Sequence, residues 1–202
     1  MTPNQIAAFL VSVSFGAGIN VYATLATLGL LERSGWVNLP PTLDPLANWW
    51  VIGASLILFS LEFFADKIPY VDLVWNVLHT FVRIPVAALL VWAATPQLSP
   101  EWQAGAAALG AGIAFIAHGG KLAVRAAVTP SPEPASNIAL SLGEDAFTIF
   151  LTWFATAHPY IAATIVVALL ALAVVLIRWI VRALRAVLSG RRRPSPSLGM
   201  SG

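Results

Sequence analysis

The chain contains no cysteine, and only 10% of its 202 residues are charged. Without cysteine, disulfide bonds and thiolate metal sites are excluded. A soluble domain carries about 25% charged residues, so the low charge indicates a protein whose main solvent is lipid. Hydrophobic residues make up 58% of the chain. The composition therefore favours an all-α fold, a polytopic membrane helix bundle.

Six hydrophobic segments have about the 20 residues that a helix needs to cross a bilayer. They cover residues 5–32, 47–65, 70–95, 102–128, 138–157 and 159–188. The first, fourth and last segments are long enough to tilt, break or protrude. Residues 1–190 are thus predicted to form a single bundle of about six transmembrane helices. The basic segment 191–202 is predicted to be a disordered cytoplasmic tail.

The distribution of Lys and Arg predicts the orientation of the six segments. Six of the eleven basic residues lie in the range 178–193. With the N-terminus inside, the cytoplasmic joints also hold Lys67, Lys121 and Arg125, whereas the outer joints hold only Arg33. Both termini are therefore predicted to be cytoplasmic, and the C-terminal arginines to contact anionic lipid headgroups. Nucleic-acid binding is not expected, because no folded basic domain accompanies the tail.

Three short patterns recur in the second half of the chain. The segments 16–19, 44–48 and 69–71 are echoed at 110–113, 133–137 and 159–161, with offsets of 94, 89 and 90 residues. The halves 5–95 and 102–188 each hold three predicted spans, and an odd number of spans inserts the second half upside down. The sequence thus predicts an inverted 3+3 repeat. The alternative is chance, since Gly-Ala pairs and acid-Pro helix starts are common.

Four polar residues share one helical face in the third segment. Asp72, Asn76, His79 and Arg83 are spaced by 4, 3 and 4 residues, which places them on one face of a helix. Arg83 lies about 16 Å along the helix from Asp72, near the middle of the bilayer. An unpaired charge at that depth costs at least about 2.5 kcal/mol. This face is therefore predicted to point into the bundle.

A complementary basic stripe and two pairs of acids lie on other segments. They are His118, Lys121 and Arg125 on the fourth segment, Glu62 and Asp66 on the second, and Glu144 and Asp145 on the fifth. One interpretation is that the acids only neutralise the bases and pin the bundle. The other is a polar cavity, open to the cytosol, for an anionic or zwitterionic group. The two interpretations are compatible, and the sequence leaves both open.

The segment 129–137 joins the fourth and fifth hydrophobic segments and carries several side-chain oxygens. Its candidate site residues are Ser131, Glu133, Ser136 and Asn137. Ser136 or Asn137 is expected to cap the fifth helix, and folding of the segment over the charged residues as a lid is the alternative. Lys67 is included in the predicted site because it follows Asp66. No ligand spacing supports a metal site, and no metal or cofactor is predicted.

Two runs of residues resemble a bacterial membrane family. The first run is Phe64–Asp72 with Trp75, His79, Thr80 and Arg83, and the second is His118–Lys121 with Arg125, Ser131–Pro134, Ser136, Asn137, Glu144 and Asp145. The chain is similar over residues 5–185 to the family catalogued as domain of unknown function 4126. The resemblance implies an integral protein of the bacterial cytoplasmic membrane and supplies no activity.

The residues favour a small transporter, channel or flippase-like carrier for a small anion or a lipid phosphate. In this hypothesis Arg83, Lys121 and Arg125 hold the anionic group, while His79, His118 and the acids handle protons. One alternative is a membrane enzyme acting on a lipid phosphate with a histidine as general base. The missing Walker, HExxH and GxSxG motifs count against it. The other alternative is a non-catalytic scaffold or assembly protein. The oligomeric state is left open.

Overall fold

The computed structural model describes the backbone of residues 1–128 and 134–190, with side chains except at residues 69, 70, 72, 73, 126–128, 134–137, 184 and 187–190. The described chain forms α1 (Pro3–Ile19), α2 (Val21–Arg33), the 3-10 helix Pro41–Ala47, α3 (Trp49–Ala65), α4 (Pro69–Ala94), α5 (Pro100–Val128), α6 (Pro134–Ala157) and α7 (Pro159–Gly190). Over these residues the all-helical fold class is confirmed.

The helices begin where the sequence supplies caps or proline. Pro69, Pro100, Pro134 and Pro159 each occupy the first position of a helix, where the missing N–H has no helical partner to lose. The side chain of Asn48 accepts the N–H of Trp50 and caps α3. Because these signals are local, helices α3 to α7 begin and end within a few residues of the predicted segments.

Four of the described helices are long and apolar enough to cross a membrane. They contain the segments Val74–Ala94, Pro100–Arg125, Ile138–Ala157 and Pro159–Ala183. The pair Pro41–Ala47 and Trp49–Ala65, bent by 63°, makes a fifth if it counts as one span. The prediction of a membrane-embedded helix bundle is therefore confirmed in its coarse form, and six spanning helices are not.

The first hydrophobic segment is broken at Asn20. This residue has φ −147° and ψ 102°, which is extended backbone, so α1 ends and α2 begins on either side of it. Its side chain accepts the N–H of Ala23 at 2.9 Å and caps α2. Helix α1 has only 17 residues, which is too short for the predicted span over residues 5–32.

Helix α1 runs in the same direction as α5. Ser14 lies beside Gly110, Gly18 packs against Ala114 and Ala117, and the carbonyl of Ile19 accepts a hydrogen bond from Lys121. A Cβ atom added at Gly18 would lie 2.5 Å from the carbonyl oxygen of Ala114. Only glycine permits this close approach, which brings the end of α1 to the level of Lys121.

Helix α2 returns toward the end of the bundle where α1 began. Tyr22, at its start, contacts His79 of α4. Arg33, at its end, donates to the carbonyl of Ala47 and lies 4.3 Å from the ring centroid of Trp49, at the start of α3. Helices α1 and α2 therefore form a hairpin with its tip at Asn20, and the hairpin does not cross the bundle.

The bundle has two chemically different ends. At one end, called the Trp end, α4 joins α5 and α6 joins α7, and four exposed tryptophans lie there: Trp36, Trp49, Trp50 and Trp102. At the other, called the Arg end, α3 joins α4 and α7 finishes beyond Arg178, Arg182 and Arg185. Helix α1 begins at the Trp end. The chain turns back at Asn20, so α1 starts at the Trp end while α7 finishes at the Arg end. The prediction that both termini lie on the cytoplasmic side is therefore not confirmed.

The inverted 3+3 repeat is also not confirmed. Its first pair of segments, 16–19 and 110–113, lies on α1 and α5, which run in the same direction. An inverted repeat requires opposite directions for corresponding helices. The starts of α3 and α6 and of α4 and α7 do lie at opposite ends of the bundle.

Candidate functional site

Six buried charged side chains meet between α3, α4, α5 and α6. We call them the ion cluster: Glu62 and Asp66, Arg83, Lys121 and Arg125, and Glu144. The side chains of Glu62 and Arg83 are 0% exposed, and that of Glu144, the most accessible of the six, is 12% exposed. The fold thus brings Arg83 of the first predicted stripe together with Lys121 and Arg125 of the second. Three of the predicted acids, Glu62, Asp66 and Glu144, lie among them.

Lys121 lies at the centre of the ion cluster. Its Nζ atom is 3.2 Å from Asp66 Oδ2, 3.3 Å from Glu144 Oε2 and 3.6 Å from Glu62 Oε1. It also donates to the carbonyl oxygen of Ile19, at 3.3 Å, where α1 ends. One ammonium group is therefore shared by three carboxylates and by the carbonyl end of a helix, whose dipole favours a cation.

The two arginines bind the same carboxylates from either side of Lys121. Arg125 Nη2 lies 2.8 Å from Asp66 Oδ2 and 2.6 Å from Glu144 Oε2. Arg83 Nη2 donates to Glu62 Oε1. Asp66 follows the last residue of α3, and its burial acts to raise its pKa. Lys121 and Arg125 outweigh that effect and hold the pKa of Asp66 below its usual value, so this carboxyl is anionic at neutral pH.

His118 is held neutral by its neighbours. Arg83 Nη1 lies 2.7 Å from His118 Nδ1, and a guanidinium can only donate, so Nδ1 carries no proton. The Nε2–H then donates to Thr80 Oγ1 at 2.8 Å. Arg83 Nη1 also donates to Asn76 Oδ1 at 3.2 Å. His118, Asn76 and Thr80 therefore orient the guanidinium toward Glu62.

His79 lies outside the ion cluster, in an aromatic setting. Its Nδ1 is 2.8 Å from the carbonyl of Trp75, and Nε2 is 3.0 Å from the hydroxyl of Tyr22. The ring stacks on Trp75 with 4.5 Å between centroids. The neutral tautomer with the proton on Nδ1 satisfies both contacts. His79 thereby ties α4 to the start of α2, next to the hairpin tip.

A second polar group surrounds the hairpin tip. Asn20 Nδ2 donates to Asp145 Oδ1 of α6 at 2.9 Å, and both side chains are buried. Gly16 packs against Thr148 and Thr152 of the same helix. Sequence reasoning placed Asp145 in the site and missed Asn20. The available signal was an amide side chain in the middle of a long apolar run, which is costly in lipid without a partner.

A pocket of about 200 Å³ lies beside the ion cluster, between α1, α5, α6 and α7. Lys121 and Glu144 are its charged lining residues, and the rest of the lining is apolar or glycine, including Phe15, Leu140 and Leu172. Gly120 keeps α5 close to α7, because an added Cβ would lie 2.8 Å from Ala173 Cβ. The accessible wall of the pocket is therefore apolar, and the Lys121–Glu144 ion pair lies directly behind it.

The remaining predicted site residues are placed elsewhere. Lys67 donates to the carbonyl of Phe63 at 2.7 Å and lies over the Phe63 ring, outside the ion cluster. The side chain of Asp72 is outside the described residues, as are Ser131, Glu133 and the side chains of Ser136 and Asn137. The predicted disordered tail 191–202 and the linker residues 129–133 of the predicted lid also lie outside the described residues. Helix α6 begins at Pro134, so Ser136 and Asn137 lie within its first turn and not at the predicted cap position. Among the described residues, no group of three or more His, Asp or Glu is placed to hold a metal ion.

Comparison with known proteins identifies the family. The family model of a domain of unknown function (DUF4126) matches residues 7–179. This match covers most of the chain, and the chain belongs to that family, as its two sequence runs indicated. No curated protein and no solved structure matches it. The function must therefore be argued from the site itself.

Proposed function

We propose that this family member is a carrier in the bacterial cytoplasmic membrane for a small anionic or zwitterionic solute. The observation that supports the proposal is the position of Lys121. Its ammonium is shared by three carboxylates, and Lys121 and Glu144 are the charged residues that adjoin the apolar pocket. An ion pair directly behind the wall of a pocket becomes accessible to a charged ligand after a small movement of that wall, unlike an ion pair enclosed by protein on all sides.

Stability alone does not account for the ion cluster. Replacing buried ion pairs by apolar residues of similar volume is often neutral or stabilising by about 1–4 kcal/mol. In a bilayer each charge at the helix centre adds an insertion cost of about 2.5–3.5 kcal/mol. Six such groups, five of them around Lys121, are therefore expensive for a purely structural role. Intramembrane ionisable residues more often mark substrate or ion pathways.

The lining of the pocket suggests how a solute binds. An anionic group on the solute replaces the Glu144 carboxylate at Lys121, at the 3.3 Å distance of the internal pair. If the solute is zwitterionic, its cationic group pairs with the released Glu144. The apolar portion then contacts side chains such as Phe15 and Leu172. In this scheme Arg125, which also binds Glu144, keeps that carboxylate from drifting into the pocket.

The broken helix supplies the moving part in this proposal. Discontinuous helices whose ends meet at a buried polar site are typical of transporters, because half-helix ends bind ions and the break permits motion. Here the α1 carbonyl end meets Lys121 and the α2 N-terminal end meets Asp145 through Asn20. We propose that displacement of the hairpin opens the site toward the Trp end.

Orientation follows from the positive-inside rule. The Arg end carries Lys67, Arg178, Arg182 and Arg185 and is proposed to face the cytoplasm, where these side chains reach anionic headgroups. The hairpin and the N-terminus then face the opposite side. The inverted symmetry is proposed for α3–α4 and α6–α7 alone, since corresponding helices of these pairs start at opposite ends.

A ligand screen with matched lysine variants tests the carrier proposal. Purified protein is heated with a panel of carboxylates, phosphate esters, amino acids and betaines. At least one compound should raise the unfolding temperature saturably, since about 100 Kd of ligand adds about 2.7 kcal/mol of stability. The shift should disappear in Lys121→Met and persist in Lys67→Met, which removes the same side-chain type outside the ion cluster.

Transport of the stabilising compound is then measured in liposomes. Uptake by wild-type protein and by Lys67→Met, but not by Lys121→Met, supports the carrier. The absence of any stabilising compound, or equal binding to Lys121→Met, overturns the proposal and favours a structural role for the ion cluster. Turnover of a lipid phosphate without uptake overturns it in favour of an enzyme.

A further inference from the structure

Asp145 is a buried carboxyl group beside the ion cluster that forms no ion pair. Its Oδ1 accepts a hydrogen bond from Asn20 Nδ2 at 2.9 Å. Its Oδ2 is buried and has no hydrogen-bond donor among the described residues, and the whole residue is 6% exposed. Glu62 Oε2 and Asp66 Oδ1 also lack a donor there, but both of these acids pair with described bases. Among the described buried acids, Asp145 is therefore the one without an ion pair.

Among the described side chains of the site, the acids outnumber the bases. The ion cluster and Asp145 together hold four carboxyl groups and three cations. His118 cannot add a fourth cation without losing the hydrogen bond from Arg83. Because an uncompensated charge away from water is strongly unfavourable, Asp145, which forms no ion pair, is the carboxyl group of this set that a proton stabilises most.

We infer that Asp145 is the proton-binding site of the carrier and that its protonation couples the ion cluster to the α1–α2 hairpin. This inference rests on the proposed carrier function and names the coupling ion. One proton from water adds to Oδ2 of the carboxylate and gives the neutral acid. Oδ1 of the acid still accepts from Asn20, so the observed hydrogen bond is kept.

The groups that face Asp145 come from several helices. Lys121 of α5 is the cation that acts on it, and Glu62 and Asp66 of α3 are the carboxylates that do so. Helix α1 has no ionisable side chain. The other ionisable groups on the packed helices are Tyr22, Glu32 and Arg33 of α2, Glu101, His118 and Arg125 of α5, Tyr160, Arg178, Arg182 and Arg185 of α7, and Glu144 of α6 itself.

Loss of the proton changes both the lysine and the hairpin tip. An anionic Asp145 competes with Glu144 for the ammonium of Lys121, which weakens the ion pair behind the pocket wall. Asn20 is held between Asp145 and the N–H of Ala23, so the same change acts on the cap of α2. An anionic Oδ2 also needs water, which reaches it only if the hairpin moves, because no described donor serves this oxygen. Protonation therefore favours the closed hairpin described here, and deprotonation favours its release.

Infrared spectroscopy of protein labelled with ¹³C at the aspartate carboxyl carbon tests the site without any solute. At neutral pH, wild-type protein should show the carbonyl stretch of a protonated carboxylic acid, shifted by the aspartate label. The band should vanish in Asp145→Asn, which retains an oxygen for Asn20. It should remain in Asp66→Asn, because Asp66 is anionic. A wild-type protein without the band, or a band that survives in Asp145→Asn, overturns the inference.

Two further measurements keep the inference testable if Asp145→Asn does not fold. The chain has four aspartates, so a band that survives in the separate Asn variants of Asp44, Asp66 and Asp72 belongs to Asp145.

Release of the hairpin is measured by maleimide labelling of a single cysteine introduced at Ser14, which is buried on α1. The thiolate is the reactive form of any cysteine, so the rate is taken relative to that of an exposed cysteine at Thr2. This relative rate should rise as the pH passes above the titration of the band. A labelling rate that does not follow the band overturns the coupling to the hairpin.

The infrared result is independent of the ligand screen. The carrier proposal fails if no solute binds at Lys121, whereas the proton site fails if no aspartic acid is protonated at neutral pH.

Discussion

Arg83 and Glu62 face each other across the α3–α4 interface, form a direct ion pair, and expose none of their side-chain surface. Glu62 Oε2 and Arg83 Nε have no hydrogen-bond partner among the described residues. Arg83 is therefore the closest counter-charge of Glu62, with the ammonium of Lys121 3.6 Å from the same oxygen. The pair closes the end of the ion cluster that lies farthest from Arg125.

Removing one member of this pair should destabilise the protein severely. Arg83→Gln leaves the Glu62 carboxylate buried without its main partner, and breaking a buried pair costs about 3–5 kcal/mol. Unfolding of the purified protein in mixed micelles, followed by helix content against denaturant, measures the loss. The double variant Glu62→Gln with Arg83→Gln should recover most of the stability. Equal instability of single and double variants would show that the pair contributes no coupling.

The crossing of α1 and α5 should not tolerate a side chain at Gly18. Gly18→Ala places a methyl group 2.5 Å from the backbone oxygen of Ala114, and backbone cannot move aside as a side chain can. Overpacking typically costs about 1–3 kcal/mol. Gly112→Ala, at a glycine of α5 with nothing within 4 Å, is the matched control and should be neutral. The thermal unfolding temperatures of the two variants provide the comparison.

Asn20 should contribute more to stability than an ordinary helix cap. Asn20→Ala removes the cap of α2, which lowers the free energy of unfolding by about 1 kcal/mol. It also leaves the buried Asp145 without its hydrogen-bond donor, which lowers the free energy of unfolding by about 1–3 kcal/mol more. Asn48→Ala removes the cap of α3 alone. The first variant should therefore lower the free energy of unfolding well beyond the second. Equal losses would mean that the hydrogen bond to Asp145 contributes nothing.

Single cysteines should report the hairpin topology, since the chain has no native cysteine. Thr2→Cys and Gln97→Cys lie at the Trp end and should react with an impermeant maleimide from the same side of the membrane. Lys67→Cys, at the Arg end, should react from the other side. Labelling of Thr2→Cys together with Lys67→Cys would restore the six-span arrangement.

The sequence predicts much of this architecture because its signals are local. Proline at the first position locates four helices, and spacing by three or four residues places His118, Lys121 and Arg125 on one face. Charges in lipid must find partners, which brings this face against Glu62 and Asp66. These inferences need no knowledge of how the helices are arranged.

The hairpin was not predictable in the same way. Hydropathy records that residues 5–32 are apolar, but it carries no information about the direction of the chain after a break. Asn20 reverses the chain because its side chain is satisfied by Ala23 and by Asp145, which lies 125 residues away. The sequence also does not show which acid stays without an ion pair. Lys121 and Arg125 each bind more than one carboxylate, and the choice depends on packing distances between helices.

The hairpin also constrains the order of assembly. Its tip has a buried amide whose partner, Asp145, lies on α6, and Lys121, which binds the end of α1, lies on α5. During synthesis the hairpin is made before either partner. Its final position must therefore wait until α5 and α6 have entered the bilayer. Residues made earlier thus reach their places only after later ones, and the polar tip remains without its partners until then.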